Sequence, residues 1–197
     1  MRAYKRYSNR GFTLVELMIV IAIIGILAAL AIYGVTRLIG TSKSAEARQN
    51  VGAVSRSAQA SFEKQTNPSE IVALGTEGQA VSQSLCGSAG APVPAAIPAG
   101  TKYQPNPADG SDFNVGDSQN GWICLRFKID DAIHYQYNYT KGSSPISAQV
   151  NDPESFEASA TGDVDGDGTV SQFALTGVVR NGGLTRSTNM FVVNEAE

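Results

Sequence analysis

Between Leu17 and Thr36 the sequence contains no Asp, Glu, Lys or Arg. That gap excludes an ordinary surface helix, which keeps one polar face toward water. Cysteine is scarce as well: Cys86 and Cys124 are the only 2 in the chain. They form no CxxC pair and no zinc-ligand spacing, which excludes a dithiol redox motif and a cysteine-based metal site. His134 is the 1 histidine. No Ser/His/Asp set, G-x-S-x-G elbow or phosphate-binding loop accompanies it, so the familiar hydrolase and nucleotide-binding chemistries lack their residues, and no enzyme activity is read. Basic charge is thin too. The formal charge is −3, and without Arg2, Lys5, Arg6 and Arg10 the chain has 11 basic residues against 18 acidic, or −7. A body of that sign neutralises no phosphates, so no nucleic-acid partner is read.

What the sequence does contain is divided sharply. The hydrophobic content of 42% over 197 residues averages an almost wholly apolar amino-terminal region with a polar remainder rich in Gly, Ser, Ala and Asn. The chain therefore has room for one globular domain and one extended element. Residues 12–40 are long and apolar enough to cross a bilayer as a helix, with the basic residues 1–11 held on the cytoplasmic side. Glu16 breaks the apolar run near its start. A carboxylate in hydrocarbon is costly unless something pairs with it, so it reads as a functional group. A cleaved secretory signal is one competing reading, with "ILAALA" (26–31) as its cleavage region. Its apolar part, however, would exceed the usual length, and Glu16 would be foreign to it. A plain membrane anchor is the other, and it explains neither Gly11-Phe12 nor the position of the acid.

The stretch "RGFTLVELMIVIAIIGILAALAI" (10–32) resembles the class III signal of type IV prepilins and of the related type II secretion pseudopilins. The resemblance implies that residues 1–11 are a leader removed after Gly11 by a prepilin peptidase, and that Phe12 is then N-methylated. It further implies that Glu16 pairs with the new amine of a neighbouring copy and so sets the register of assembly. The expected product is a homopolymer: a type IV pilus, a retractable surface fibre for adhesion and twitching motility. Each subunit is stored in inner-membrane lipid beforehand and handled by an assembly ATPase, a platform protein and a secretin, with no cofactor required. The alternative is a type II secretion pseudopilin in a periplasmic pseudopilus for protein export. Many type IVa pilins have a Pro where this chain has Tyr33. Gly25, Gly34 and Gly40 are then the weak points at which the helix could bend or melt.

Beyond Arg37 the apolar positions Ala47, Val51, Val54, Ala58 and Phe62 recur at helical spacing. Lys43, Glu46, Arg48, Asn50 and Arg56 are assigned to the opposite, solvent face. One helix is expected over about 12–65, with its amphipathic half at 41–66, ended by "TNPS" at Asn67 and Pro68. Residues 67–197 are expected to form the globular domain. Its first part, 67–120, is a Pro-rich loop containing "APVPAAIPAG", and its second, 121–197, is a sheet.

"GWICLRFKI" (121–129) and "AIHYQYNY" (132–139) alternate like the strands of a hairpin. "SFEASATG", "TVSQFALTGVV" and "NMFVV" supply further strands, the last two separated by "RNGG". The expected fold class is α+β and pilin-like, with the long helix packed on a four- to five-stranded antiparallel sheet.

For an exported chain, Cys86 and Cys124 form a disulfide that staples the loop to the first strand, two unpaired buried thiols being the alternative. Many type IVa pilins instead place their cysteine pair around a carboxy-terminal loop. His134 is assigned to the polar, exposed side of its strand, and Tyr135, Tyr137 and Tyr139 to core packing. In "DVDGDGTV", Asp163, Asp165 and Asp167, with the carbonyl of Thr169, match the spacing of a calcium loop. Ala174 stands where such a loop has a bidentate Glu. A calcium site and a solvated Asp-Gly turn both remain open.

Overall fold

The computed structural model describes residues 11–64 and 83–195. Arg2, Lys5, Arg6, Arg10, the helix-ending Asn67 and Pro68, and the loop as far as residue 82 lie outside the described residues. The chain divides into two units, Met1–Ile39 and Gly40–Glu197. One helix of 50 residues, α1 (Leu14–Glu63), contributes to both. Gly25, Gly34 and Gly40 fall within α1 without interrupting it.

In the first unit every residue from Gly11 to Val35 is exposed. In the second, the expected stripe holds to the residue: Ala47, Val51, Val54, Ala58 and Phe62 are all buried.

The sheet consists of β1 (Gln136–Lys141), β2 (Ser155–Gly162), β3 (Ser171–Arg180), β4 (Gly183–Arg186) and β5 (Phe191–Val193). All neighbouring pairs are antiparallel, in the order β1-β2-β3-β4, with β5 also on β3. The outer edge of β3 is shared: Gly177–Arg180 pairs with β4, and Gln172–Ala174 with β5. On the opposite side, β1 is covered by the Pro-rich loop. Val93 donates to the Tyr137 carbonyl at 2.8 Å and accepts from its amide at 2.7 Å, and Ala89 donates to the Tyr139 carbonyl at 2.9 Å. Pro92 and Pro94 flank Val93, so the loop offers one paired residue and then no further donors.

The face toward α1 is assembled from large side chains set opposite small ones. Tyr137 lies across from Ala160, which faces Phe173 on β3; Tyr139 lies across from Ala158; and Phe156 faces Gly177. Tyr137, Tyr139, Phe156, Ala158, Ala160 and Phe173 join the α1 stripe in one hydrophobic cluster. An ideal Cβ at Gly177 would lie 2.4 Å from the Phe156 ring, and one at Gly162 would lie 2.5 Å from the Tyr135 ring. Both glycines are therefore required by side chains passing over the backbone, a packing constraint.

The other face of β2 is buried too. Glu157 is fully inaccessible there and accepts from the amides of Ile146 and Ser147, both at 2.9 Å, and from the Ser147 hydroxyl at 2.6 Å. One buried carboxylate thus ties the β1–β2 connection down across the sheet, with each oxygen satisfied.

The expected strand "GWICLRFKI" is instead a short helix, α2 (Gly121–Leu125). Its alternation of apolar residues coincided with a second pattern: Trp122 and Leu125, three apart, point inward, while Ile123 is 44% exposed. The Trp122 and Ile123 amides both donate to the Val115 carbonyl, and Arg126 closes the turn in the left-handed region at φ 54°. Trp122 then packs edge-on against Phe113, with ring centroids 5.1 Å apart. The first hairpin of the sheet is therefore β1–β2, with its strand beginning at Gln136 after an isolated pairing of Ile133 with Tyr103. The disulfide Cys86–Cys124 is present, stapling the loop to α2 and not to a strand.

Gly177→Ala should destabilise the body by about 1–3 kcal/mol, the usual consequence of overpacking a rigid ring. Chemical denaturation of the purified protein measures this, and an unchanged midpoint would contradict the packing described.

Candidate functional site

At the start of α1, Gly11 is exposed with open space about it, and Phe12 is 78% exposed. The helix is opened by a reciprocal cap between Thr13 and Glu16. The Glu16 amide donates to Thr13 Oγ1 at 3.2 Å, and the Thr13 amide donates back to Glu16 Oε2 at 2.9 Å. The Thr13 hydroxyl also donates to Glu16 Oε2, at 2.7 Å. This is the capping box, signalled by T-x-x-E ahead of an apolar run, and it satisfies two helix-end donors at once. Glu16 therefore has a local role beyond the register role expected of it, and Thr13 is a site residue that the sequence reading left out. By length and composition α1 is apolar enough to cross a membrane, and none of its most apolar window is buried.

A second cluster locks the polar half of α1 to the sheet. Glu46 accepts from the His134 amide and the Tyr137 hydroxyl, both at 3.2 Å, and its other oxygen lies 2.8 Å from His134 Nδ1. Asn50 donates to the same Tyr137 hydroxyl at 2.8 Å. His134 is half-buried, not on an exposed strand face as expected, because the segment before β1 turns it against α1. Glu46, Arg48 and Asn50 likewise do not face solvent. Arg48 stacks over the Phe173 ring, 5.4 Å from its centroid, and pairs with Glu195. Burial first, and then the nearby Glu46 carboxylate, push the Tyr137 phenol up, so it stays a neutral donor.

The acidic loop follows β2. Asp163 is buried, Asp165 and Asp167 are exposed, and one carboxylate oxygen from each lies within 4.8 Å of the others. These three hard oxygen donors suit a divalent cation such as calcium, and they are the group among the described residues that could hold one. Part of the set is already engaged. Asp163 accepts from the Gly166 amide at 2.7 Å and the Gly168 amide at 3.1 Å, and Asp167 accepts from the Thr169 amide at 2.6 Å. Gly168 sits at φ 92°, a conformation open to glycine. Lys43 on α1 reaches the same loop, donating to the Val164 carbonyl at 3.2 Å. Ala174, at the place of a bidentate Glu, is buried within β3 and paired with Ser159 and Phe191.

Asp163→Ala should destabilise the body by about 1–3 kcal/mol, because two loop amides lose their acceptor. Asp165→Asn, at an exposed position, should change it by less than about 0.5 kcal/mol. Urea titration of both variants distinguishes the residue that builds the loop from the one that only decorates it.

Comparison with known proteins bears on the amino-terminal segment. The family described as the prokaryotic N-terminal methylation motif matches residues 6–32. The type IV major pilin protein PilA of Myxococcus xanthus (strain DK1622) is 57% identical over 54 residues, 27% of this chain and 24% of that protein. The chain therefore matches well under two thirds of that relative's length. No solved structure matches.

Proposed function

We propose that this chain, a member of the type IV pilin family by its methylation motif and its α+β architecture, is the structural subunit of a type IV pilus. The observation that supports this reading best is the motif over residues 6–32 at the head of a helix whose apolar side chains, Leu14 to Ile39, are exposed. A surface of that kind is stable in lipid, or among other helices like itself, and unstable in water. Storage in the inner membrane followed by burial in a homopolymer on the cell surface accounts for both needs. A filament is the form that identical head-to-tail contacts take when they do not close into a ring.

In this reading a prepilin peptidase cuts after Gly11, Phe12 becomes the methylated terminus, and Glu16 accepts the terminal amine of a neighbouring copy. Both charges are then paired only when subunits dock in register, and leaving either buried alone is strongly unfavourable. An ATPase, a platform protein and a secretin belong to the same proposal, as do adhesion and twitching motility.

The second reading, a type II secretion pseudopilin, is favoured by one observation, the convergent carboxylates of the acidic loop. Shearing separates the two: a surface pilus releases this chain into the sheared fraction, and a periplasmic pseudopilus does not.

Mass spectrometry of the native protein should find N-methylated Phe12 as its first residue, and a bulky replacement of Gly11 should block that processing. Glu16→Ala should be processed normally yet yield few fibres; sheared fibres at wild-type abundance would refute the register role.

Calcium binding at Asp163, Asp165 and Asp167 is a separate proposal within this reading. It predicts that millimolar calcium raises the melting temperature of the wild-type body and not that of the Asp165→Asn variant. Equal melting curves with calcium and with chelator would identify the loop as a solvated turn.

A further inference from the structure

The capping box leaves the two carboxylate oxygens of Glu16 unequal. Oε2 accepts both the amide and the hydroxyl of Thr13, at 2.9 and 2.7 Å. Oε1 has no hydrogen-bond partner among the described residues, and the side chain lies at an exposed position. The Thr13 hydroxyl acts in both directions, giving its proton to Oε2 and accepting the Glu16 amide at 3.2 Å.

We propose that Thr13 is the positioning residue for subunit docking. By holding Oε2 against the start of α1, it fixes the Glu16 side chain so that Oε1 is presented to the terminal amine of a second copy.

The inference rests on the proposed pairing of Glu16 with that amine and adds a requirement to it. A free glutamate side chain samples several rotamers, and docking would have to freeze them at the moment of contact. With Oε2 already anchored by a charge-assisted pair of bonds, most of that ordering is complete in the undocked subunit. Preorganisation of this kind strengthens association without adding any contact. The same two bonds solvate half of the carboxylate while the subunit waits in lipid, where no water is available to do so. Thr13 touches no partner group in this scheme, and its effect reaches the docking contact through Glu16.

The experiment uses the full-length protein in its own host, with Thr13→Ser, Thr13→Val, Thr13→Asp and Glu16→Ala examined side by side. Processing is read from the mass of the mature terminus, and assembly from the yield of sheared fibres relative to the membrane pool. Thr13→Val keeps the shape but removes the hydroxyl; it should be processed normally and lose about tenfold in fibre yield, as expected for one lost bond to a charged group. Thr13→Ser keeps both hydroxyl bonds and should restore the yield. Thr13→Asp still caps the helix but cannot donate to Oε2, so it should assemble as poorly as Thr13→Val.

Wild-type assembly by Thr13→Asp would show that capping alone suffices, and wild-type assembly by Thr13→Val would show that the hydroxyl is irrelevant. Either result overturns the inference while leaving the role of Glu16 standing. Normal fibres from Glu16→Ala would overturn the pairing itself, and the inference with it.

Discussion

Water cannot accommodate the side chains from Leu14 to Ile39 without an unfavourable free energy, and everything else about the molecule answers to that constraint. The helix is continuous because every backbone group in such an environment must find its partner within the segment. Its one acid sits where helix-end donors are available to hold it. Its length exceeds what the sheet can cover, so α1 presents two surfaces, one satisfied by its own chain and one suited to lipid or to copies of itself. Where the apolar side chains give way to a stripe, near Ala47, the helix becomes an ordinary element of an α+β body.

That body is held by complementary sizes on one face of the sheet and by satisfied polar groups on the other. The rows Tyr137–Ala160–Phe173 and Tyr139–Ala158 leave space for α1, while Glu157 draws the β1–β2 connection over the opposite side. Polar contacts between α1 and the sheet then fix the rotation of the helix. Glu46 meets His134 and Tyr137, Lys43 meets the acidic loop, and Arg48 meets Phe173 and Glu195. The staple between Cys86 and Cys124 holds the loop that lines the free edge of β1.

How much of this the sequence disclosed depended on whether a residue's neighbours in space were also its neighbours along the chain. The buried stripe of α1 was legible because its period is local, and so was β2, whose eight residues were read from Ser155 to Gly162. The capping box was equally local: T-x-x-E stood in plain view, overshadowed by the membrane cost of Glu16. "GWICL" misled because a five-residue segment with apolar groups on both sides satisfies the helical and the strand period alike. What decided it was the pocket beside Phe113, nine residues away and invisible to periodicity. β4 is too short to show a pattern, and only its pairing with Gly177–Arg180 defines it. The charges of α1 misled for a simpler reason: Glu46, Arg48 and Asn50 do lie off the apolar stripe, but their long side chains reach back to tyrosine, histidine and the terminal segment, where polar ends find partners.

The divided edge of β3 has a consequence for crowding. Sheets packed side by side in a fibre risk fusing along their rims, since an unpaired row of amides and carbonyls accepts any extended strand. Here one rim is occupied by a proline-flanked residue, and the other is broken into segments of four and three residues. Neither offers a template long enough to recruit a foreign strand. Adjacent bodies can then be pressed together at high local concentration and still come apart, and a fibre built to be taken down again needs that property.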